Sequence, residues 1–284
     1  MIPADWPHRD ASRFVVCKPH LWHVQEMGTG PLLLLIHGAG GSTHSWRQLM
    51  PLLAQHFRVV AMDLPGQGYS RSGARSRLGL DGMSTDLLHL CAHEGWQPDA
   101  IIGHSAGAAI ALRLTELLPH KPRAVIGINA ALSNFDGVAG WLFPLLARAL
   151  TLAPFVPQIF ARISGTPAKV NSLLAYTGSP LDTEGKALYQ RLVSNPGHVD
   201  ATLAMMSQWK LDGLLARLPA MTIPLLLIAA DQDGAVPCAT SRNWAARMPN
   251  AEYVEIPGHG HLVHEEVPKA VAGLILSFLA RHPA

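Results

Sequence analysis

The chain is poor in charge and poor in cysteine, and both shortages narrow what it can do. Charged residues make up only 15% of the 284, and the formal net charge is +2. No long basic run is present to neutralise a phosphate backbone, so nucleic acid is not an expected partner. The three cysteines, Cys17, Cys91 and Cys238, are odd in number and far apart. They make no disulfide framework and read as the reduced thiols of a cytoplasmic protein. None sits on a sharp glycine-flanked turn, so none is the expected nucleophile. No stretch of 18 uninterrupted apolar residues occurs, and no transmembrane helix is expected. Residues 1–6 lack the basic-then-apolar order of a secretory signal. Internal repeats are lacking as well.

Hydrophobic residues are plentiful at 49%, enough for the core of one large α/β domain or of one domain with an insertion. Residues 1–13 are polar and proline-containing and read as an extended arm. Residues 14–16 and 21–24 read as a hairpin at a sheet edge. Residues 32–36, Leu-Leu-Leu-Leu-Ile, form a glycine-bounded apolar run of the kind buried on both faces of a parallel sheet. A short helix over 46–55, a strand over 58–62, a helix over 80–94, a strand over 100–102, a helix over 108–118 and a strand over 124–129 follow. Strand and helix alternating in this order give a parallel sheet with right-handed crossovers. From 133 to about 219 the reading is helical throughout (166–176, 180–194, 196–217), and prolines 144, 154 and 157 break its very apolar first part. The α/β pattern resumes with strands at 223–230 and 251–256 and helices at 238–247 and 268–281. The expected architecture is a core of residues 1–132 and 220–284 carrying a helical lid, 133–219.

The chemistry concentrates at Gly103-His104-Ser105-Ala106-Gly107, a G-x-S-x-G between a strand and a helix. A serine in that place needs a strained turn, and the two glycines remove side chains that would clash. The turn lifts the hydroxyl to the top of the sheet and aims the first helix amides at what it attacks. A serine hydroxyl needs a base, best a histidine, and the histidine needs a carboxylate. Asp231 and Asp233 follow the 223–230 strand, and His259, His261 and His264 follow the 251–256 strand. Three histidines in that spacing also resemble a metal site, but alternation with glycine suits a catalytic loop better, and no metal is expected. Residues 37–42, His-Gly-Ala-Gly-Gly-Ser, let backbone pass close to a ligand. They lack the third glycine of a dinucleotide fingerprint and the Lys-Ser/Thr of a phosphate loop. No cofactor is expected.

Serine, acid and histidine in this order resemble the α/β-hydrolase family over nearly the whole chain. Asp63-Leu64-Pro65-Gly66-Gln67-Gly68-Tyr69-Ser70 is similar to that family's D-x-P-G-x-G-x-S loop. The resemblance implies Ser105 as nucleophile. Its D-x-x-V-P pattern falls on Asp233-Gly234-Ala235-Val236-Pro237 and favours Asp233 over Asp231 as the acid. Its Gly-His pattern falls on Gly260-His261 and favours His261 as the base. The oxyanion donors would be the backbone amides of Ala39 and Ala106, with Gly40 in reserve. Gly40, His44, Trp46, His104, Trp141 and Phe143 are candidate pocket residues, although His104 also suits packing support. Serine rather than aspartate at the elbow points away from dehalogenase and epoxide hydrolase chemistry, towards esters, thioesters, amides or activated ketones.

Residues 5–14, 21–25, 42–47 and 195–199, together with 103–109, narrow the likeness. They resemble the α/β-hydrolase-like magnesium chelatase accessory proteins of bacteriochlorophyll biosynthesis. This implies a place near magnesium insertion into protoporphyrin, with a porphyrin or chelatase subunits as partners, and does not supply a reaction. An apolar lid suits a hydrophobic ligand or contact with a membrane surface. Three readings follow: a serine hydrolase of a hydrophobic ester or acyl compound serving that pathway, a non-catalytic accessory binding porphyrin or chelatase subunits, and a general carboxylesterase unrelated to pigments.

Overall fold

Alternating apolar residues along the central strands divide the core into two layers. In β3 (Leu32–Ile36), Leu32, Leu34 and Ile36 face one layer while Leu33 and Leu35 face the other. Side chains two apart share a face of a strand, so a run buried on every position must be covered on both sides. The computed structural model describes residues 2–133 and 156–283. Trp141 and Phe143 therefore lie outside the described residues.

The sheet has eight strands in the order β1-β2-β4-β3-β5-β6-β7-β8. β1 (Ser12–Cys17) and β2 (His20–Met27) form the edge hairpin, and β2 also runs antiparallel to β4 (Arg58–Met62). From β4 onwards the pairing is parallel through β3, β5 (Ala100–His104), β6 (Ala124–Ile128), β7 (Leu225–Ala230) and β8 (Ala251–Ile256). One layer is covered by α2 (Leu80–Glu94) and α3 (Ala106–Leu117), which follow α1 (Met50–Leu53) in the chain. Leu80, Met83, Leu87, Leu90 and Cys91 of α2 lie in it at helical spacing.

Between β6 and β7 the described chain is helical: α4 (Val156–Ser164), α5 (Pro167–Tyr176), α6 (Thr183–Val193), α7 (Pro196–Ser207) and α8 (Asp212–Arg217). The single helix expected over 196–217 is thus two, separated at residues 208–211. These helices have a small core of their own, built from Val170, Leu174, Leu181 and Tyr189, and it takes in Leu262 from beyond β8. After β7 come α9 (Cys238–Ala245), α10 (Val263–Glu266) and α11 (Pro268–Arg281). Val271, Ala272, Ile275, Phe278 and Leu279 of α11 cover the second layer.

Two further expectations need correction. The residues before β1 are not an extended arm: Trp6 is buried against Leu188 and Leu192 of α6, and a 3-10 turn at Arg9–Ala11 leads into β1. The expected helix over 46–55 is a 3-10 turn at Thr43–Trp46 followed by the four residues of α1, which has proline in its first turn. Proline opens a helix readily but cannot continue one already under way, because it has no amide hydrogen to donate.

Candidate active site

Ser105 links β5 to α3 with φ 53° and ψ −120°, a backbone state that costs a non-glycine residue of order 1–3 kcal/mol. The flanking glycines are required by their neighbours. A Cβ on Gly103 would stand 2.5 Å from the Ala108 Cα, and one on Gly107 would stand 2.6 Å from the His37 carbonyl oxygen. The second contact locks the start of α3 against the end of β3. The Ser105 amide donates to Ile128 O (2.9 Å), and the Ser105 carbonyl accepts from Ala108 and Ala131 (3.1 Å each). The turn is therefore held from both sides.

The loop after β3 passes against the serine. A Cβ on Gly38 would lie 2.9 Å from both the Ser105 Cβ and the His104 Nδ1. The Gly38 carbonyl accepts from His37 Nδ1 (2.7 Å) and from the Gly41 amide (3.1 Å). His37 Nε2 in turn accepts from the Leu64 amide (2.9 Å). A trans peptide points its N–H opposite to its C=O, so fixing the Gly38 oxygen aims the Ala39 amide away from these partners. Ala39 is exposed and Ala106 buried. Gly40 is different, because its amide already donates to Gln67 Oε1 (2.9 Å). The reserve oxyanion donor is occupied.

At the same edge of the sheet, in the segments after β7 and β8, His261 Nδ1 donates to Asp233 Oδ2 at 2.7 Å. The Asp233 carboxylate has no exposed surface, and its other oxygen accepts the amides of Ala235 (2.7 Å) and Val236 (2.8 Å). Three donors on one carboxylate fix its position and orientation. Asp231 is exposed and accepts the Gly258 amide at 2.6 Å. Of the two candidate acids, the structure brings only Asp233 to the histidine. Of the three histidines, His259 Nδ1 turns back to Pro257 O (2.7 Å), and His264 is fully buried between Trp46 and His104.

Two core residues hold the His261 backbone from below. His104 Nε2 donates to the His261 carbonyl (2.8 Å). Asn129 Nδ2 donates to the same carbonyl (2.8 Å) and to Gly260 O (3.1 Å), while its Oδ1 accepts the Ala230 amide (2.8 Å). Asn129 thus ties the ends of β6 and β7 to the histidine loop, and it does so at φ 44°. Asparagine is among the few non-glycine residues that tolerate that region. An asparagine closing an apolar strand was the one signal the sequence offered for it.

The remaining candidates stand inside the protein. His104 is buried and its ring lies 4.7 Å from that of His261; burial, and then the charges of His264 and His261, hold its pKa well below the usual histidine range. His44 is fully buried, with Nδ1 on Ser42 Oγ (2.6 Å) and its ring against Tyr189 at 4.6 Å. Trp46 has no exposed surface and belongs to the second core layer. Neither presents a face to a ligand, contrary to the expectation that they line a pocket. Each follows a loop that looks catalytic in sequence, but the 3-10 turn at 43–46 directs them inward.

The Asp63 loop is a structural knot. The buried Asp63 carboxylate accepts from His23 Nδ1 (2.7 Å), the Thr43 amide (2.6 Å) and the Tyr69 amide (2.7 Å). Burial opposes its charge, yet His23, His37 and the Tyr69 amide bring its pKa down to about 2. A Cβ on Gly68 would collide with that carboxylate, and φ there is +54°. Above the knot, His198 of α7 accepts the Gly68 amide at Nδ1 (3.0 Å) and donates from Nε2 to Gly40 O (3.1 Å). Burial lowers its pKa to about 4, so this bridge is a neutral imidazole at pH 7.

A tight turn presenting a serine, a loop with an unengaged amide beside it, and a histidine on a buried carboxylate are arranged along the parallel part of one mixed sheet. The chain belongs to the α/β-hydrolase fold family, whose sequence model matches residues 31–268. It is similar to a protein named magnesium-chelatase 30 kDa subunit from Rhodobacter capsulatus, with 46% identity over 280 residues, 98% of each chain. It is 26% identical, over 89% of its length and 96% of the other's, to a pimeloyl-[acyl-carrier protein] methyl ester esterase of Nitrosospira multiformis. Its fold is shared with an α/β-hydrolase fold protein from Burkholderia ambifaria (TM-score 0.77, 22% identity, covering 94% and 99% of the two chains). A thermophilic esterase from Thermogutta terrifontis shares it too (TM-score 0.73, 22% identity, 96% and 99%).

Among the described residues no group of three or more His, Cys, Asp and Glu is placed to hold a metal ion, and no helix is long and apolar enough to cross a membrane.

Proposed function

We propose that this chain is a serine hydrolase acting on a hydrophobic ester or related acyl compound, in the service of bacteriochlorophyll biosynthesis near the magnesium chelatase step. The observation that carries the chemistry is the 2.7 Å bond from His261 Nδ1 to the buried Asp233 carboxylate. With the Nδ1 proton fixed there, Nε2 is the free base. In this reading the Ser105 Oγ attacks the acyl carbon as its proton passes to His261 Nε2. The oxyanion takes the Ala39 and Ala106 amides. Collapse expels the alcohol, which recovers the proton from His261 and leaves an acyl-serine. Water, deprotonated by the same nitrogen, then releases the acid. No cofactor enters any step.

The inserted helices serve as the lid. Ile159 and Ile163 of α4 and Leu173 and Tyr176 of α5 are more than half-exposed or at that limit, at 50–71%. That apolar surface suits a greasy acyl group or a tetrapyrrole better than a polar metabolite. The pathway rests on the 46% identity to the chelatase subunit of R. capsulatus. The same likeness favours a second reading, a non-catalytic accessory that binds porphyrin or chelatase subunits.

One experiment separates them. A phototroph lacking its own 46%-identical protein receives either this chain or its Ser105→Ala variant, and pigment is measured. Restoration by the wild type alone is the expected result. Equal restoration by both overturns the catalytic reading for the pathway and leaves the accessory role. A fluorophosphonate probe labels Ser105 in the purified wild type; absence of labelling overturns the nucleophile assignment.

A further inference from the structure

We infer that the inserted segment is part of the catalytic apparatus, and that Ser179, between α5 and α6, is a positioning residue for His261. The inference deepens the serine hydrolase reading and rests on it. His261 is held from above by chain that belongs to neither half of the α/β core. Its amide donates to the Thr177 carbonyl at 2.8 Å. The same oxygen also accepts the amide of Gly234, at 3.4 Å, next to Asp233. One carbonyl thus staples the acid loop to the base loop.

Ser179 completes the clamp. Its Oγ accepts the Leu262 amide (2.8 Å) and donates to Glu266 Oε1 (2.6 Å), which also accepts the Gly260 amide (3.0 Å). The hydroxyl is thereby connected to the residues on each side of His261. Ser179 is 1% exposed, so water cannot readily replace it. The two backbones touch: a Cβ on Gly260 would lie 2.6 Å from the Ser179 amide nitrogen, and one on Gly178 (φ +76°) would collide with the Gln232 carbonyl. Leu262, adjacent to His261, is buried in the core of the inserted helices. His104 and Asn129 fix the carbonyl of His261 from the sheet side, as described above. The inserted segment fixes its amide and its neighbours. Without Ser179 the Leu262 amide is left buried and unpaired, which a mobile loop relieves by moving. A displacement of about 1 Å at a general base is enough to reduce turnover up to about 100-fold.

The test uses the full-length chain with Ser179→Ala and Ser179→Thr. Hydrolysis of p-nitrophenyl butyrate and the downfield proton resonance of the His261–Asp233 hydrogen bond are both measured. That resonance is assigned by its loss in His261→Ala. In Ser179→Ala, kcat falls about 10- to 100-fold with KM within about twofold, and the resonance broadens. Ser179→Thr, which keeps the hydroxyl, recovers both. Wild-type kcat and a wild-type resonance in Ser179→Ala overturn the proposal, as does the absence of the resonance from the wild type. Should Ser179→Ala fail to fold, Glu266→Ala removes the other anchor of the same hydroxyl from a partly exposed position, and its resonance broadens too; an unchanged one overturns the proposal. If the wild type hydrolyses nothing and Ser105 is not labelled, the hydrolase reading has failed, while the resonance still reports whether Ser179 fixes His261.

Discussion

Acid destabilises this protein early, and buried histidines are the reason. His37, His44, His104, His198 and His264 are all fully or almost fully buried, and burial lowers the pKa of each. For His198 the value is about 4 and for His264 about 3. An unfolded histidine takes its proton near pH 6.5, whereas these stay neutral while the fold lasts. Between those limits the unfolded chain binds more protons at these histidines than the native one, an effect offset in part by Glu265, whose pKa burial raises to about 7. Stability is therefore full above about pH 6.5 and falls as pH drops towards the native values, by about 1.4 kcal/mol per pH unit for each histidine. His198 and His264 alone remove about 5 kcal/mol between pH 6.5 and 4.5, a large part of a typical folding free energy of about 5–15 kcal/mol. The assay is urea unfolding followed from pH 7.5 to 4.5. With a slope of about 2–3 kcal/mol per M, the midpoint falls by about 2 M. His264→Leu isolates one contribution. Both its ring nitrogens are buried without a partner, so the substitution is near neutral or stabilising at pH 7, and it flattens the pH slope by one proton. A midpoint that does not move with pH, or a His264→Leu slope equal to the wild type's, refutes the reasoning.

Asp233→Asn leaves the fold intact and lowers esterase kcat by about 10⁴-fold, because the amide favours the wrong imidazole tautomer, whereas Asp231→Asn stays within a few-fold; steady-state kinetics on an activated ester decide between the two carboxylates. Glycine substitutions have opposite signs at two helical positions, read by thermal melting. Gly107→Ala drives a Cβ into the Ile36 and His37 carbonyls and destabilises by about 3 kcal/mol or more. Gly273→Ala, exposed in α11 with nothing near its added carbon, stabilises by about 0.5–1 kcal/mol.

The strands and long helices were legible because their signal is local. Leu32–Ile36 can only be a doubly buried strand, and Leu80 to Cys91 repeat at helical spacing. The strained serine turn and the pairing of Asp233 with His261 were legible because glycines, Asp233 and His261 sit at strand ends where the topology puts the last two within hydrogen-bond reach. What stayed hidden depends on contacts between distant residues. Nothing around Ser179 indicates that it meets Leu262, 83 positions on. Gln67 looks like one residue of a turn until Gly40 is placed on it. Trp6 appears to belong to a polar arm until α6 supplies Leu188 and Leu192. The chain has 15 histidines, a number the sequence does not explain. Several are neutral groups in the core, which only their burial reveals.

The His198 bridge bears on how interchangeable the parts of such a protein are. A neutral imidazole offers one donor and one acceptor on opposite sides, and Gly40 O and Gly68 N–H require that pair in that orientation. The loop that carries Ala39 is thus registered against the Asp63 knot by a side chain borrowed from the insertion. Modular exchange is constrained accordingly. A chimaera that grafts another member's helices onto this sheet would lose the registration of the loop that carries Ala39, unless an equivalent donor–acceptor group returns to the same point. The inserted helices and the sheet are here one assembly, joined at that contact.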